Sequence, residues 1–288
     1  MAFAKGHGTG NDFVVVPDPD HQLSLTPTLV AALCDRRSGI GGDGVLRVVR
    51  TAADPELARY AVGPEWADAE WFMDYRNADG SVAEMCGNGV RVFARYLVDS
   101  GLVAAEPGAT PELVLGTRAG PVVAVVGDEA VSVTMRMPRM QGVSDAWLGE
   151  RRFTGQVVDC GNPHLVCPLP PGVALADLDL SEPPRVDPAV FPAGANVEFT
   201  VPAAQEPLVD AHIRMRVHER GVGETRSCGS GACAAALVAL RDRDRARGVV
   251  AVDVPGGRLT VALTDTDCAL TGPAVLVASG TVQLAALA

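Results

Sequence analysis

The tetrapeptide Cys86-Gly87-Asn88-Gly89 returns as Cys228-Gly229-Ser230-Gly231, 142 residues further along a chain of 288. Each copy follows a strand-like run and opens an apolar, helix-like one. The length suits two domains, and one motif per half suggests that the halves are copies. Asn77 precedes Cys86 by nine residues, and Glu219 precedes Cys228 by the same nine. Gly10-Asn11-Asp12-Phe13-Val14-Val15 matches Gly161-Asn162-Pro163-His164-Leu165-Val166 in pattern. We read an internal duplication of strand, polar loop, cysteine and buried helix, with the active site expected in the cleft between the copies.

Short strand-like segments dominate the rest: Phe13–Val16, Glu70–Asp74, Val122–Val126, Val131–Met137, Val157–Asp159, Ile213–Val217, Leu259–Leu263 and Ala274–Ala278. Ile213 to His218 alternates apolar and polar residues, as a strand with one buried face does. Pro27–Arg36 is predicted as a helix with Thr26 at its N-cap. After the first motif, Val90, Phe93, Ala94 and Leu97 fall at i, i+3, i+4 and i+7, predicting an amphipathic helix from Gly87 to Val98. After the second, every residue from Ala232 to Leu240 is apolar, so that helix is predicted to be buried all round. Thr51–Glu70, rich in Ala, Asp and Glu, reads as a surface insertion.

A net charge of −11 argues against a nucleic-acid partner or an anionic membrane surface. The opening residues lack the apolar core of a secretory signal and no run approaches the length of a spanning helix, so a cytoplasmic location is expected. Seven scattered cysteines without Cys-x-x-Cys pairs predict free thiols, and no metal site is expected.

A cysteine at a helix start lies near backbone N–H groups and the positive end of the helix dipole, both of which favour thiolate. The flanking glycines let a ligand approach the backbone, and the same N–H groups can hold a carboxylate. One motif thus supplies a base and an anion clamp. Two opposed copies can remove an α-proton from one face of a carbon and return one to the other. Cys34, Cys160, Cys167, Cys233 and Cys268 sit in apolar or strand-like surroundings and read as packed thiols.

The polar loops add recognition. Arg220 can grip a carboxylate with paired hydrogen bonds, and Glu219 can accept from an ammonium group; a solvated surface pair is the alternative. Asn11, Asn77, Asn162 and Asn196 each lie beside a strand in a polar turn, where Asn also serves its own backbone. His164 either orients a polar partner or caps a loop.

Together these motifs resemble those of the diaminopimelate epimerase family, cofactor-independent enzymes of lysine and peptidoglycan-precursor synthesis. The resemblance runs almost end to end, through Gly8 to Phe13, Cys34 to Arg37, Ile40 to Gly44, Asn77 to Ser81, both cysteine motifs, Gly161 to His164, Asn196 to Phe199, and Glu219 to Ala232. It implies an α/β (α+β) fold of two pseudo-symmetric domains, each a β-barrel-like sheet around a central helix. The domains expected are residues 1–132 with 275–288, and 133–274, the last strand returning to the first domain. It implies that Cys86 and Cys228 form the acid/base pair interconverting LL- and meso-2,6-diaminopimelate, with His164 and Glu219 important to catalysis near the thiols. It further implies that Asn11, Asn77, Asn162, Asn196, Glu219 and Arg220 bind the amino acid, with the backbone at Gly87-Asn88 and Gly229-Ser230 on its reacting carboxylate. No cofactor is implied; the partner is the small-molecule substrate, and a homodimer is compatible with it. The chain departs from the family pattern at Gly44, where many members carry Gln, and at Ser230, where Thr is common.

Rival readings are a proline- or hydroxyproline-type racemase, a non-catalytic amino-acid-binding homologue, and a thiol redox protein in which a Cys86–Cys228 disulfide is functional. The Asn positions with Glu219-Arg220 favour a longer, doubly zwitterionic substrate over proline.

Overall fold

In the computed structural model, which describes residues 1–106 and 108–287, both cysteines stand at the N-cap of a helix. The chain divides into two units, Met1–Val133 with Gly272–Ala288, and Thr134–Thr271.

In chain order the first unit contains β1 (Ala2–Gly8), β2 (Asn11–Pro17), α1 (Pro27–Cys34), β3 (Gly44–Arg50), β4 (Trp71–Asn77), α2 (Gly87–Asp99), β5 (Glu112–Thr117), β6 (Gly120–Val126) and the start of β7 (Val131–Met135). The second contains β8 (Arg139–Leu148), β9 (Arg151–Asp159), β10 (Pro163–Pro168), β11 (Arg185–Val186), β12 (Asn196–Pro202), β13 (Ala211–Glu219), β14 (Gly223–Thr225), α3 (Gly229–Arg241), β15 (Gly248–Val254), β16 (Gly257–Leu263) and β17 (Cys268–Gly272). The last strand, β18 (Val275–Thr281), belongs to the first unit, where it pairs antiparallel with β1.

The two units repeat one strand order. In the first, β1 and β2 are antiparallel, β2 and β3 parallel, β3 and β4 antiparallel, β4 and β5 parallel, and β5 and β6 antiparallel. In the second the same sequence of orientations runs through β9, β10, β12, β13, β15 and β16. Register repeats as well: Phe13 lies opposite Gly44 on β2 and β3, and His164 lies opposite Asn196 on β10 and β12.

Each unit wraps its strands around one helix. Helix α2 packs on β1, β2, β3, β4, β6 and β18, and α3 packs on β9, β10, β12, β13, β15 and β16. Ala232 to Leu240 is buried at every position, as a helix without a polar face must be. Helix α2 departs from the amphipathic expectation: Arg91 and Val92 are as fully buried as Val90 and Phe93, so its first two turns have no solvent face. The predicted α1 forms with Thr26 as N-cap, its hydroxyl accepting from the Leu29 N–H at 3.2 Å.

The Thr51–Glu70 segment is largely exposed, as its composition suggests, but a few buried residues anchor it to the first unit. Leu57, Trp66 and Ala69 are buried with Val49 and Phe72 in a cluster of their own. Asp54, also buried, faces Arg47, which meets Asp18 at 2.8 Å and Asp54 and Asp74 at 3.4 Å. Gly44 has a steric cause: a Cβ there would lie 2.4 Å from the Arg76 carbonyl and 2.7 Å from the Tyr75 ring, so this strand pair admits no side chain.

Candidate active site

In the first unit the Cys86 motif is held from both sides. Helix α2 starts with the bond from the Val90 N–H to the Cys86 carbonyl, 2.8 Å, so the N–H groups of Gly87, Asn88 and Gly89 lie ahead of the first intrahelical bond. Asn11, the first residue of β2, brings its Oδ1 to 3.5 Å from the Cys86 thiol, and Asn88 Nδ2 donates to the same oxygen at 3.3 Å. Asn11 Nδ2 in turn donates to Asp43 at 2.7 Å. Behind the motif, the fully buried Arg91 donates to Asn88 Oδ1 at 2.9 Å, to Thr9 Oγ1 at 3.3 Å and to the Gly87 carbonyl at 3.4 Å. Sequence reasoning missed Arg91; its signal was a charged residue inside the most apolar stretch of the helix.

Asp12, next to Asn11, anchors the same strand start. Burial raises its pKa, but hydrogen bonds from Arg36 and Lys5 outweigh that and hold the carboxyl well below the usual carboxylate range. Asn77 ends β4, with its Nδ2 donating to Ser81 Oγ at 3.0 Å.

The second unit repeats the plan with different chemistry. Asn162, at the position equivalent to Asn11, donates from Nδ2 to Ser230 Oγ at 3.5 Å, and Ser230 Oγ lies 3.6 Å from the Cys228 sulfur. The Gly231 N–H donates to Cys228 Sγ at 3.4 Å, a helix-start N–H aimed at the thiol. His164 places Nε2 3.0 Å from Asn162 Oδ1 and Nδ1 2.7 Å from Glu198 Oε1, with both His164 and Glu198 fully buried. Glu219, at the end of β13, accepts a hydrogen bond from Thr225 Oγ1 and lies close enough to Cys228 for its charge to act on that thiol. Burial raises the Glu219 pKa, with Glu198 adding to the shift and Thr225 and Cys228 opposing it.

Asn196 holds the Arg220 loop: its Oδ1 accepts from the Arg220 N–H at 2.9 Å and its Nδ2 donates to the Pro163 carbonyl at 3.2 Å. The Arg220 side chain is exposed. Cys160 adjoins this group, its thiol 3.5 Å from the Ser230 carbonyl, while Cys34, Cys167, Cys233 and Cys268 are buried. All seven cysteines are free thiols.

The expectation that both helix starts lower the thiol pKa needs correction at Cys228. Burial pushes this thiol well above its ordinary value, and the negative charges of Glu219 and Glu198 push in the same direction. Ser230 and the Gly231 N–H oppose them without prevailing. Cys228 is therefore held in its protonated form.

Of the thirteen side chains and backbone positions singled out from the sequence, Cys86, Gly87, Asn88 and Asn11 gather at one helix start, and Asn77 ends a neighbouring strand of that unit. Cys228, Gly229, Ser230, Asn162, His164 and Glu219 gather at the other, with Asn196 and Arg220 joined beside it. Among the described residues, no group of three or more His, Cys, Asp or Glu side chains is placed to hold a metal ion. Among the described residues, no helix is long and apolar enough to cross a membrane.

The family model for diaminopimelate epimerase matches residues 3–141 and 156–283. A diaminopimelate epimerase from Mycolicibacterium smegmatis is 50% identical over 289 residues, covering 97% of this chain and 96% of that protein. One from Rhodococcus jostii is 50% identical over 294 residues, covering 98% and 97%. Solved structures share the fold at low identity. A probable proline racemase from Agrobacterium radiobacter superposes with a TM-score of 0.70 at 17% identity, covering 98% of this chain and 93% of that one. A hydroxyproline epimerase from Agrobacterium vitis gives 0.63 at 18%, covering 97% and 91%. With a family model spanning nearly the whole chain and relatives half identical over the same length, the chain belongs to the diaminopimelate epimerase family.

Proposed function

We propose that this protein interconverts LL-2,6-diaminopimelate and meso-2,6-diaminopimelate by moving the α-proton between two thiols, without a cofactor. The observation that carries this reading is the pair of matched helix starts, each with a cysteine at the N-cap and an asparagine on the motif behind it.

In this reading Cys86 and Cys228 address opposite faces of one α-carbon. One sulfur, as thiolate, takes the α-proton; the C–H bonding pair stays on carbon and spreads into the carboxylate. The N–H groups at Gly87-Asn88 and Gly229-Ser230 hold that carboxylate at helix N-termini, where its growing negative charge is stabilised. The other sulfur gives its proton to the opposite face. Held protonated at rest, Cys228 is the proton donor in the direction that has Cys86 as base, and in the reverse direction the two exchange roles. Glu219, whose negative charge favours the protonated form of Cys228, helps that sulfur regain a proton, from the α-carbon in the reverse direction or from solvent after product leaves. His164 serves the same transfer from the loop side, through Asn162. Asn11, Asn77, Asn196 and Arg220 take the ammonium and carboxylate groups of the amino acid. The reading places the enzyme in the cytoplasm, where thiols stay reduced.

The test is deuterium incorporation in D2O into LL- and meso-diaminopimelate, without added cofactor, by wild type, Cys86→Ala and Cys228→Ala. Exchange and epimerisation by wild type, with epimerisation lost in both variants, supports two-thiol transfer. Turnover of proline in place of diaminopimelate sinks the substrate assignment.

A further inference from the structure

The duplicated fold contains its own control for the buried His164–Glu198 pair. The third residue of each motif after the cysteine, Gly89 in α2 and Gly231 in α3, faces the two parallel strands beneath it. A Cβ at Gly89 would lie 3.2 Å from Leu46 Cδ2 and 3.6 Å from Phe13 Cζ. A Cβ at Gly231 would lie 2.6 Å from Glu198 Oε1. The register of β2 with β3 pairs Phe13 with Gly44, two residues before Leu46. The register of β10 with β12 pairs His164 with Asn196, two residues before Glu198. His164 and Glu198 thus occupy the positions that Phe13 and Leu46 fill in the other unit.

The first unit shows that an apolar pair completes this architecture. A buried imidazole and carboxylate in the same place are costly to desolvate and add no packing that Phe and Leu do not supply. Glu198 also leaves Oε2 without a hydrogen-bond partner among the described residues, a further cost that packing does not explain. The exchange is confined to the unit of Cys228, the thiol that burial and nearby carboxylates hold protonated. What it adds is direction. Asn162 Oδ1 lies 3.0 Å from Nε2 and Glu198 Oε1 2.7 Å from Nδ1, so the ring is held between two acceptors and the carboxylate fixes its orientation. Asn162 then turns its Nδ2 toward Ser230, beside Cys228.

We propose that Glu198 is a positioning residue for the proton transfer at Cys228: it locks the His164 ring with Nε2 toward Asn162, and so holds the Asn162–Ser230 contact at the α3 start. The proposal rests on the epimerase reading above, and it assigns Glu198 no contact with substrate.

The experiment compares wild type with Glu198→Gln, which keeps the shape and removes the charge, and with the double variant His164→Phe/Glu198→Leu, which installs the apolar pair of the first unit. Three quantities are read: kcat and KM on diaminopimelate, thermal midpoint, and the ring N–H resonance of His164, assigned by its loss in His164→Asn. In Glu198→Gln, kcat is expected to fall about 10- to 100-fold, with KM within about threefold of wild type. Its midpoint should stay near that of wild type while the His164 resonance moves. The double variant should fold with an undiminished midpoint. A kcat within about twofold of wild type in Glu198→Gln, or an unmoved resonance, overturns the proposal. So does a double variant that fails to fold, because the pair would then be structural. If wild type itself has no activity on diaminopimelate, the function reading fails, while the resonance comparison, made without substrate, still judges Glu198.

Discussion

Arg91 and Asn88, one turn apart in α2, are joined by a 2.9 Å hydrogen bond in which the buried guanidinium holds the side chain of the cysteine motif from behind. Its other donors reach Thr9 and the Gly87 carbonyl, so one residue ties the β1–β2 turn to the helix start. Arg91→Met keeps the apolar stem but strands these acceptors. We expect a loss of about 2–4 kcal/mol in urea unfolding, and a fall in kcat larger than any change in KM.

Gly231→Ala and Gly89→Ala form a matched pair. At Gly231 the new methyl meets a carboxylate already pinned by His164, whereas at Gly89 it meets the free end of Leu46. Gly231→Ala should lower kcat by about tenfold or more by displacing Glu198 from the ring. Gly89→Ala should leave kcat nearly unchanged. Steady-state kinetics on both variants would decide, and equal effects would contradict the asymmetry.

Glu219→Gln removes a negative charge that holds the Cys228 proton in place. The thiol pKa should fall toward its ordinary value, so iodoacetamide should label Cys228 faster at pH 8 than in wild type. Slower or unchanged labelling, read by mass spectrometry of the peptide, would show that the charge does not govern this thiol.

The raised Cys228 pKa also sets a pH dependence of stability. The folded protein keeps a proton that the unfolded chain gives up near pH 8.5. This contribution is fully present below that pH and is lost as pH rises toward the folded pKa. Wild type should lose more stability between pH 8 and 10 than Cys228→Ala, measured by thermal unfolding across that range.

Asp74, fully buried, accepts from Arg76 at 2.9 Å and from Arg118, with Arg47 at 3.4 Å. Asp74→Asn leaves those guanidinium groups short of a carboxylate, and a cost of about 3–5 kcal/mol in unfolding free energy is expected. Its pKa is lowered in spite of burial, because Arg76 and Arg118 stabilise the charged form. The contribution therefore holds above the unfolded carboxylate pKa and is lost as pH falls through the folded one.

Much of this arrangement was legible in the sequence because it depends on local rules. Glycines flanking a cysteine before an apolar run mark a helix start, and both helices begin there. The nine-residue spacing from Asn77 and Glu219 placed both residues at strand ends. What could not be read is what nonlocal packing decides. Strand β3 was missed because Val45 to Val49 is buried on both faces and shows no alternation. Thr51–Glu70 looked superficial because its few apolar residues, Leu57 and Trp66, find their partners on β3 and β4. The thiol environment misled for a similar reason. A helix start argues for thiolate, but the carboxylates of Glu198 and Glu219 reach Cys228 from other strands. Glu198 itself lay in a quoted motif, and nothing in its immediate neighbours marks it as the partner of His164, 34 residues away.

Strand β18 gives the molecule an order of assembly. Ala2 to Lys5 of β1 pair with Ala278 to Thr281, so the sheet that β1 belongs to is completed only after all of Thr134–Thr271 has been made. Everything in Thr134–Thr271 is synthesised in between and can close its own sheet sooner. Until β18 arrives, β1 offers an open edge to any extended chain nearby. The unit whose strands begin before those of the other therefore has its sheet closed after them.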